Sequence, residues 1–431
     1  MPDKNKAILY CDRAITACLC LLLFCLPFTK AGAEIFTWLA IFLWILKRVL
    51  GYRAEVLWGM FPRTALNMAL AVYMLANALS VIFCSKLALF LRGFFGKELK
   101  FLLIYFIIVE VISNKKRLLS ILITIAASAV LLTADALTQY YAGRDFLRGN
   151  YFHSFSASFY SGSGFAGWLI VIIPALLGIL TTKAIPNVKL KILLYIIAGI
   201  QILCLLLTYS RGAWLGFSTA VLFCLFYFIK RFTLITRVLF LTAGTYLLIL
   251  LLFLPQFMDP QIKYDILTKF KVGQIINFRI KSIPQISKGS NLQRIKLWEE
   301  ALGIIRDYPW TGCGLNNYST VVKNYKSSAT GGIYPHNSFL QKAAETGIFG
   351  LLSFLFVLFS FFKMGLRYLN RNNNYLVLGL LAGILAFLVQ AFFDTHLYSL
   401  QLVVLFWYML GLTVAVIKLD SQKKIDNLIS R

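Results

Sequence analysis

The sequence predicts an all-α polytopic membrane protein of about twelve transmembrane helices with one large, partly helical outer loop. Three observations lead there. Of 431 residues, 59% are hydrophobic and 14% charged, with a mean hydropathy of +0.76, which excludes a water-soluble domain of this length. The apolar residues gather in runs that nearly span a hydrocarbon core and reach it once flanking residues are added. The 43 Lys and Arg exceed the 17 Asp and Glu to give a formal +26, yet the basic residues cluster in alternate connections. That charge is therefore topological, and no nucleic-acid partner is implied.

In chain order the runs are 15–28, 33–46, 65–83, 99–112, 118–134, 165–180, 192–207, 213–229, 238–254, 348–362, 376–393 and 400–417. Lys4, Lys6 and Arg13 precede the first. Placing them inside and alternating thereafter puts Lys47, Arg48, Arg53 and Arg63, Lys115 to Arg117, Lys183 to Lys191, Lys230 to Arg237, Lys363 to Arg371, and Lys418 to Lys424 inside as well. Both termini are then cytoplasmic and the helix count is even. Ala31-Gly32-Ala33 mimics a signal-peptidase site, but a retained first helix fits the same basic flank. Of the eight Cys, Cys18, Cys20, Cys25, Cys204 and Cys224 lie in apolar runs and Cys11 just before one, so no disulfide framework is implied. Cys84 and Cys313 approach the outer side, where pairing and inertness both stay open.

Three outer segments exceed a minimal turn. Residues 86–97 read as an amphipathic, interfacial helix, 137–164 as a polar aromatic loop, and 255–335 as a largely soluble stretch with local helices but no independent core. The chain thus divides into nine helices with short loops (1–254), the large loop (255–336), and a loop-closing helix with three further spans and a tail (337–431). Function belongs where the chain invests non-spanning sequence.

Within the loop, Ser290-Asn291-Leu292-Gln293 has capping-box spacing and opens a helix stopped by Asp307-Tyr308-Pro309. Leu292, Ile295, Trp298, Leu302 and Ile305 form its expected apolar side. Arg294 lies at the edge of that side, one turn before Trp298; a solvated surface Arg is the alternative. Farther on, Ser338-Phe339-Leu340-Gln341 repeats the capping-box spacing and predicts a helix running towards Gly347. His336, followed by Asn337, then stands just outside a helix N-terminus, where the helix dipole favours a neutral imidazole and attracts phosphate. An ordinary surface loop His fits the spacing equally. The other histidines are His153, in the shorter outer loop, and His396, in the tight turn Asp394-Thr395-His396; the three lack zinc-ligand spacing.

A third element is Thr208-Tyr209-Ser210-Arg211-Gly212-Ala213-Trp214, an outer turn of almost no length whose sole charge is Arg211. Such an Arg either snorkels to headgroups or clamps an anion. Together, Arg211, Arg294 and His336 provide two cations and one titratable base on the outer side, with few carboxylates nearby in sequence to hold a metal. The set suits glycan transfer from a lipid diphosphate: guanidinium forks neutralise the leaving group and an imidazole takes the acceptor proton.

From about Gly149 to the last run the sequence resembles the O-antigen ligase and polymerase superfamily, the ligase branch in particular. The resemblance rests on Tyr209-Ser210-Arg211-Gly212-Ala213-Trp214-Leu215-Gly216, on Arg294 and Trp298 followed by Pro309-Trp310-Thr311-Gly312-Cys313-Gly314-Leu315, and on His336-Asn337 followed by Gly347-Ile348-Phe349-Gly350. Family members often carry Pro-Asn before the sixth span, where this chain reads Ser154-Phe155-Ser156-Ala157-Ser158. The resemblance implies a twelve-span fold in the bacterial inner membrane and a periplasmic, metal-independent inverting transfer from undecaprenyl diphosphate to lipid A-core, with no cofactor. It makes His336 the catalytic base and Arg211 and Arg294 the donor-diphosphate ligands. Asn337, Arg148, Arg279, Trp298 and Asp394 follow as secondary candidates. An O-antigen polymerase and a protein O-oligosaccharyltransferase share the donor chemistry. One dominant outer loop and little sequence after the last run favour the ligase. A transporter or flippase would leave charges or broken helices at the bilayer midplane, and the runs are nearly free of both.

Overall fold

The computed structural model describes residues 2–51, 61–146, 155–229, 290–326 and 333–429. The ninth apolar run, 238–254, and the outer loop before Ser290 lie outside the described residues. Among the described residues the α-helices are α1 (Pro2–Cys25), α2 (Lys30–Gly51), α3 (Asn67–Leu79), α4 (Leu87–Gly93), α5 (Lys100–Val111), α6 (Lys115–Ala142), α7 (Gly162–Leu180), α8 (Val188–Leu207), α9 (Arg211–Ile229), α10 (Ser290–Asp307), α11 (Tyr318–Val321), α12 (Ser338–Arg371), α13 (Tyr375–Ala391) and α14 (Leu400–Ile429). Each apolar run within them overlaps a helix. Seven, namely α1, α6, α7, α8, α9, α12 and α14, are long and apolar enough to cross a membrane, while α3 and α13 are apolar but shorter. The amphipathic stretch 86–97 is helical as expected, α4 passing through a π-helical turn (Phe94–Leu99) into α5.

Helix ends follow local chemistry. Asn114 caps α6 by accepting from the Arg117 N–H at 3.0 Å, and Gly143, with φ +71, terminates it in the left-handed region that favours glycine. At the basic ends the alternation is visible as contacts. Asp12 of α1 pairs with Lys47 of α2 at 2.7 Å and with Arg117 of α6 at 3.2 Å. Glu110 of α5 pairs with Lys47 at 2.8 Å, with Arg48, and accepts from the Trp44 indole at 2.9 Å. Basic residues from alternate connections therefore meet at one end of the bundle.

α7, α9 and α13 form the packed centre that carries the site. Their approach is set by small residues: a Cβ on Gly216 would come within 2.5 Å of the Ala386 carbonyl, and one on Gly383 within 2.7 Å of the Val171 carbonyl. Backbones at that separation gain dispersion contacts that lipid cannot replace. The large loop corrects one expectation. α10 buries Leu297, Ala301 and Ile304, of which Ala301 and Ile304 pack with Cys313, Tyr318, Val322 and Ala344, and of the expected row Leu292, Ile295, Trp298, Leu302 and Ile305 only Ile305 packs against that cluster. Leu292 is 40% and Leu302 52% exposed. The cluster includes Ala344 of α12. Cys84 and Cys313 are both free thiols, and burial pushes the Cys313 thiol up, away from the reactive thiolate.

Candidate functional site

The site begins with the turn into α12. Asn337, not Ser338, is the N-cap: its carboxamide oxygen accepts from the N–H groups of Phe339 and Leu340, both at 3.0 Å. Ser338 is the first helical residue instead, and its hydroxyl donates to the Asp394 carbonyl at 2.8 Å. This corrects the capping-box assignment and ties α12 to the turn between α13 and α14. His336 precedes the cap with φ +48, a left-handed conformation held by the bonds on either side.

The ring of His336 meets Asp394. Nδ1 lies 3.2 Å from Oδ1 of that carboxylate, with the His side chain 45% exposed and the Asp side chain 18%. The Ser163 hydroxyl, from the first turn of α7, donates to the other carboxylate oxygen, and the Thr395 N–H donates to Oδ1 at 2.8 Å. Burial alone would raise the Asp394 carboxyl, but the hydrogen bonds from His336, Ser163 and Thr395 outweigh it and hold the group below the usual carboxylate range. An ionised Asp394 accepts the Nδ1 proton, so that Nε2 of a neutral His336 keeps its lone pair.

Asp394 also lines a cavity of about 250 Å³ together with Ser163, Tyr209, Arg211, Arg294 and Gln390. Arg211 is the first residue of α9, so its charge stands beside the positive end of the helix dipole. Both fields favour an anion at that end. Tyr209, with φ +52, turns the chain sharply into that helix. Gln390 of α13 braces the wall, donating to the Ser163 carbonyl at 3.2 Å and towards the Ser210 hydroxyl at 3.4 Å.

The structure thus brings Arg211, Arg294, Asp394 and His336 together, although the chain separates them widely. Trp298 packs edge-on against Phe392, ring centroids 5.9 Å apart. Asn337 is 1% exposed and spent on capping. Arg148, Arg279 and His153 lie outside the described residues. His396 is 4% exposed and packs on Phe387, centroids 6.0 Å apart. Burial lowers its pKa, Asp394 opposes that and the charge of Arg294 adds to it, leaving it a neutral core residue. Among the described residues no group of three or more His, Cys, Asp or Glu is arranged to hold a metal ion. Tyr209 entered the sequence reading only as a neighbour of Arg211 in its turn, and Ser163 and Gln390 escaped it. Of the last two only Ser163 carried a signal, as a hydroxyl at the outer end of a predicted span.

Residues 193–355 match the family model described as O-antigen ligase. The matched stretch contains Arg211, Arg294 and His336 and supports a place in the O-antigen ligase superfamily. No curated protein matches the chain.

Proposed function

We propose, starting from that superfamily match, that the chain is an O-antigen ligase of the bacterial inner membrane. It transfers a polysaccharide from undecaprenyl diphosphate to a sugar hydroxyl of lipid A-core on the periplasmic side, as a metal-independent inverting glycosyltransferase. The observation that carries the reading is the single cavity shared by Arg211, Arg294 and the Asp394 that orients His336. The topology proposed with it has twelve spans, both termini cytoplasmic, and the three-part division at 254 and 336.

Each group then has one task. Asp394 accepts from Nδ1 and fixes the tautomer, and Nε2 of His336 takes the proton of the acceptor hydroxyl. The freed oxygen attacks the anomeric carbon from the face opposite the diphosphate. The carbon–oxygen bond to phosphate breaks with its electron pair, the configuration inverts, and Arg211 and Arg294 neutralise the diphosphate that leaves.

Deletion in the native host followed by electrophoresis of lipopolysaccharide tests the reading. The expected result is lost capping with accumulation of long lipid-linked glycan; a cap of one repeat would assign the chain as a polymerase instead. Arg211→Lys is expected to lower transfer about tenfold or more, chiefly through the donor KM, because an ammonium cannot make a bidentate phosphate contact. Unchanged kinetics in that variant would reduce Arg211 to a headgroup anchor.

A further inference from the structure

Two more cavities are lined in part by the residues that follow Asp394 in the chain. The nearer, about 260 Å³, is lined by Lys30, Tyr160, Ser161, Tyr334, Thr395 and Tyr398, among others. Its lining residues are chain neighbours of the dyad: Ser161 comes just before Ser163, Thr395 follows Asp394, and Tyr334 comes shortly before His336. The farther cavity, about 460 Å³, includes Glu34, Arg92, Lys97, Lys100 and Tyr398. Tyr398 lines both.

Their chemistry differs from that of the donor cavity. Tyr160 is 88% and Tyr334 45% exposed, so folding recovers little of their apolar surface. Exposed aromatic faces beside the hydroxyls of Ser161 and Thr395 suit a sugar ring, which offers C–H groups on its faces and hydroxyls on its rim. In the farther cavity Lys100 donates to both oxygens of Glu34 at 2.7 and 2.9 Å, and Lys97 donates to the Asn316 carboxamide at 2.6 Å. The lining carries three cations against one carboxylate, with Glu98 and Glu345 also acting on Lys97, and Arg92, exposed, has no hydrogen-bond partner among the described residues. The π-helical turn (Phe94–Leu99) that presents Lys97 is itself a rare feature concentrated at functional sites. Because Nδ1 of His336 faces Asp394, an incoming hydroxyl must approach the ring from its other side.

We infer that the two cavities, which share Tyr398, together form the acceptor subsite, holding an anionic glycan with its sugar against Tyr160 and Tyr334 and its phosphate at Arg92 and Lys97. This assignment rests on the transfer reading for its meaning, but its location is testable alone. The full-length protein in phosphatidylcholine nanodiscs is given lipid-linked glycan and core-bearing lipid A, either intact or phosphatase-treated. The Tyr160→Ala, Tyr334→Ala double variant is expected to raise the acceptor KM about tenfold while the donor KM stays within about twofold. Arg92→Gln is expected to raise the KM of intact acceptor about fivefold and leave that of dephosphorylated acceptor unchanged. A rise in donor KM alone, or an Arg92→Gln effect equal on both acceptors, as for a bilayer headgroup, overturns the assignment. Acceptor binding without donor separates the two readings. Binding weakened about tenfold by the tyrosine changes supports the subsite even where wild-type protein transfers nothing, whereas unweakened binding removes it.

Discussion

Replacing His336 with alanine is expected to lower the turnover of glycan transfer about a thousandfold or more, with membrane insertion and yield unchanged. The large catalytic effect follows from the absence of any second base at the Asp394 carboxylate among the described residues: His396 is buried and neutral, and Ser163 is a donor there. The small structural effect follows from exposure, since 45% of the His336 side chain faces out and its ring makes one hydrogen bond. Asp394→Asn sharpens the test. An amide offers Nδ1 an N–H as readily as a carbonyl, so the ring can settle in the tautomer whose Nε2 is protonated and unable to accept. Turnover should then fall about a hundredfold or more with little change in donor KM. Wild-type amounts of capped lipopolysaccharide from His336→Ala would remove the residue from the base role, whatever Asp394 does.

The parts of this arrangement legible in the sequence were those marked by a local conflict. Arg211 stood out because a charge interrupts an otherwise uncharged outer turn, and His336 because a cap-like sequence follows it. Asp394 was only a secondary candidate, since nothing local links it to His336; the connection is made by α13 packing back along α7 and α9, a tertiary fact with no periodic signature. The face of α10 was misread for a related reason. Heptad-like spacing identifies the apolar row of a helix that meets one surface, but α10 meets two, its Ala301 and Ile304 against the loop cluster and Trp298 against Phe392. When both sides of a helix are contacted, periodicity alone cannot rank them. Buried polar networks were likewise invisible. Lys342 of α12 donates to the Tyr73 hydroxyl and to Glu98, each at 2.7 Å, and each residue alone reads as an ordinary charged or aromatic position.

The second large effect is expected at Gly347. Its φ of +66° and ψ of −171° lie in a region open essentially to glycine alone, and a Cβ there would overlap the backbone carbonyl of Trp310. The conformation breaks α12 and frees backbone groups that the loop then satisfies: Cys313 donates to the Ala344 carbonyl at 2.9 Å, Gly314 to Glu345 at 3.0 Å, and Ile348 to Pro309 at 2.8 Å. Gly312, φ +73, must be glycine for the matching reason, because its own Cβ would strike the backbone of Glu345. Gly347→Ala therefore adds backbone strain of about 1–3 kcal/mol and displaces a strand of loop whose hydrogen bonds contribute about 0.5–1.5 kcal/mol each. The variant should accumulate poorly or melt well below wild type in detergent. Material that does fold should still transfer little glycan, because the segment before the break carries His336 at its cap while the segment after it is anchored in the bundle, and straightening the helix swings one against the other. Wild-type melting together with wild-type transfer would show that the break is incidental, and that the loop motif around Gly312 and Gly314 has some purpose other than setting the direction from which the base reaches the site.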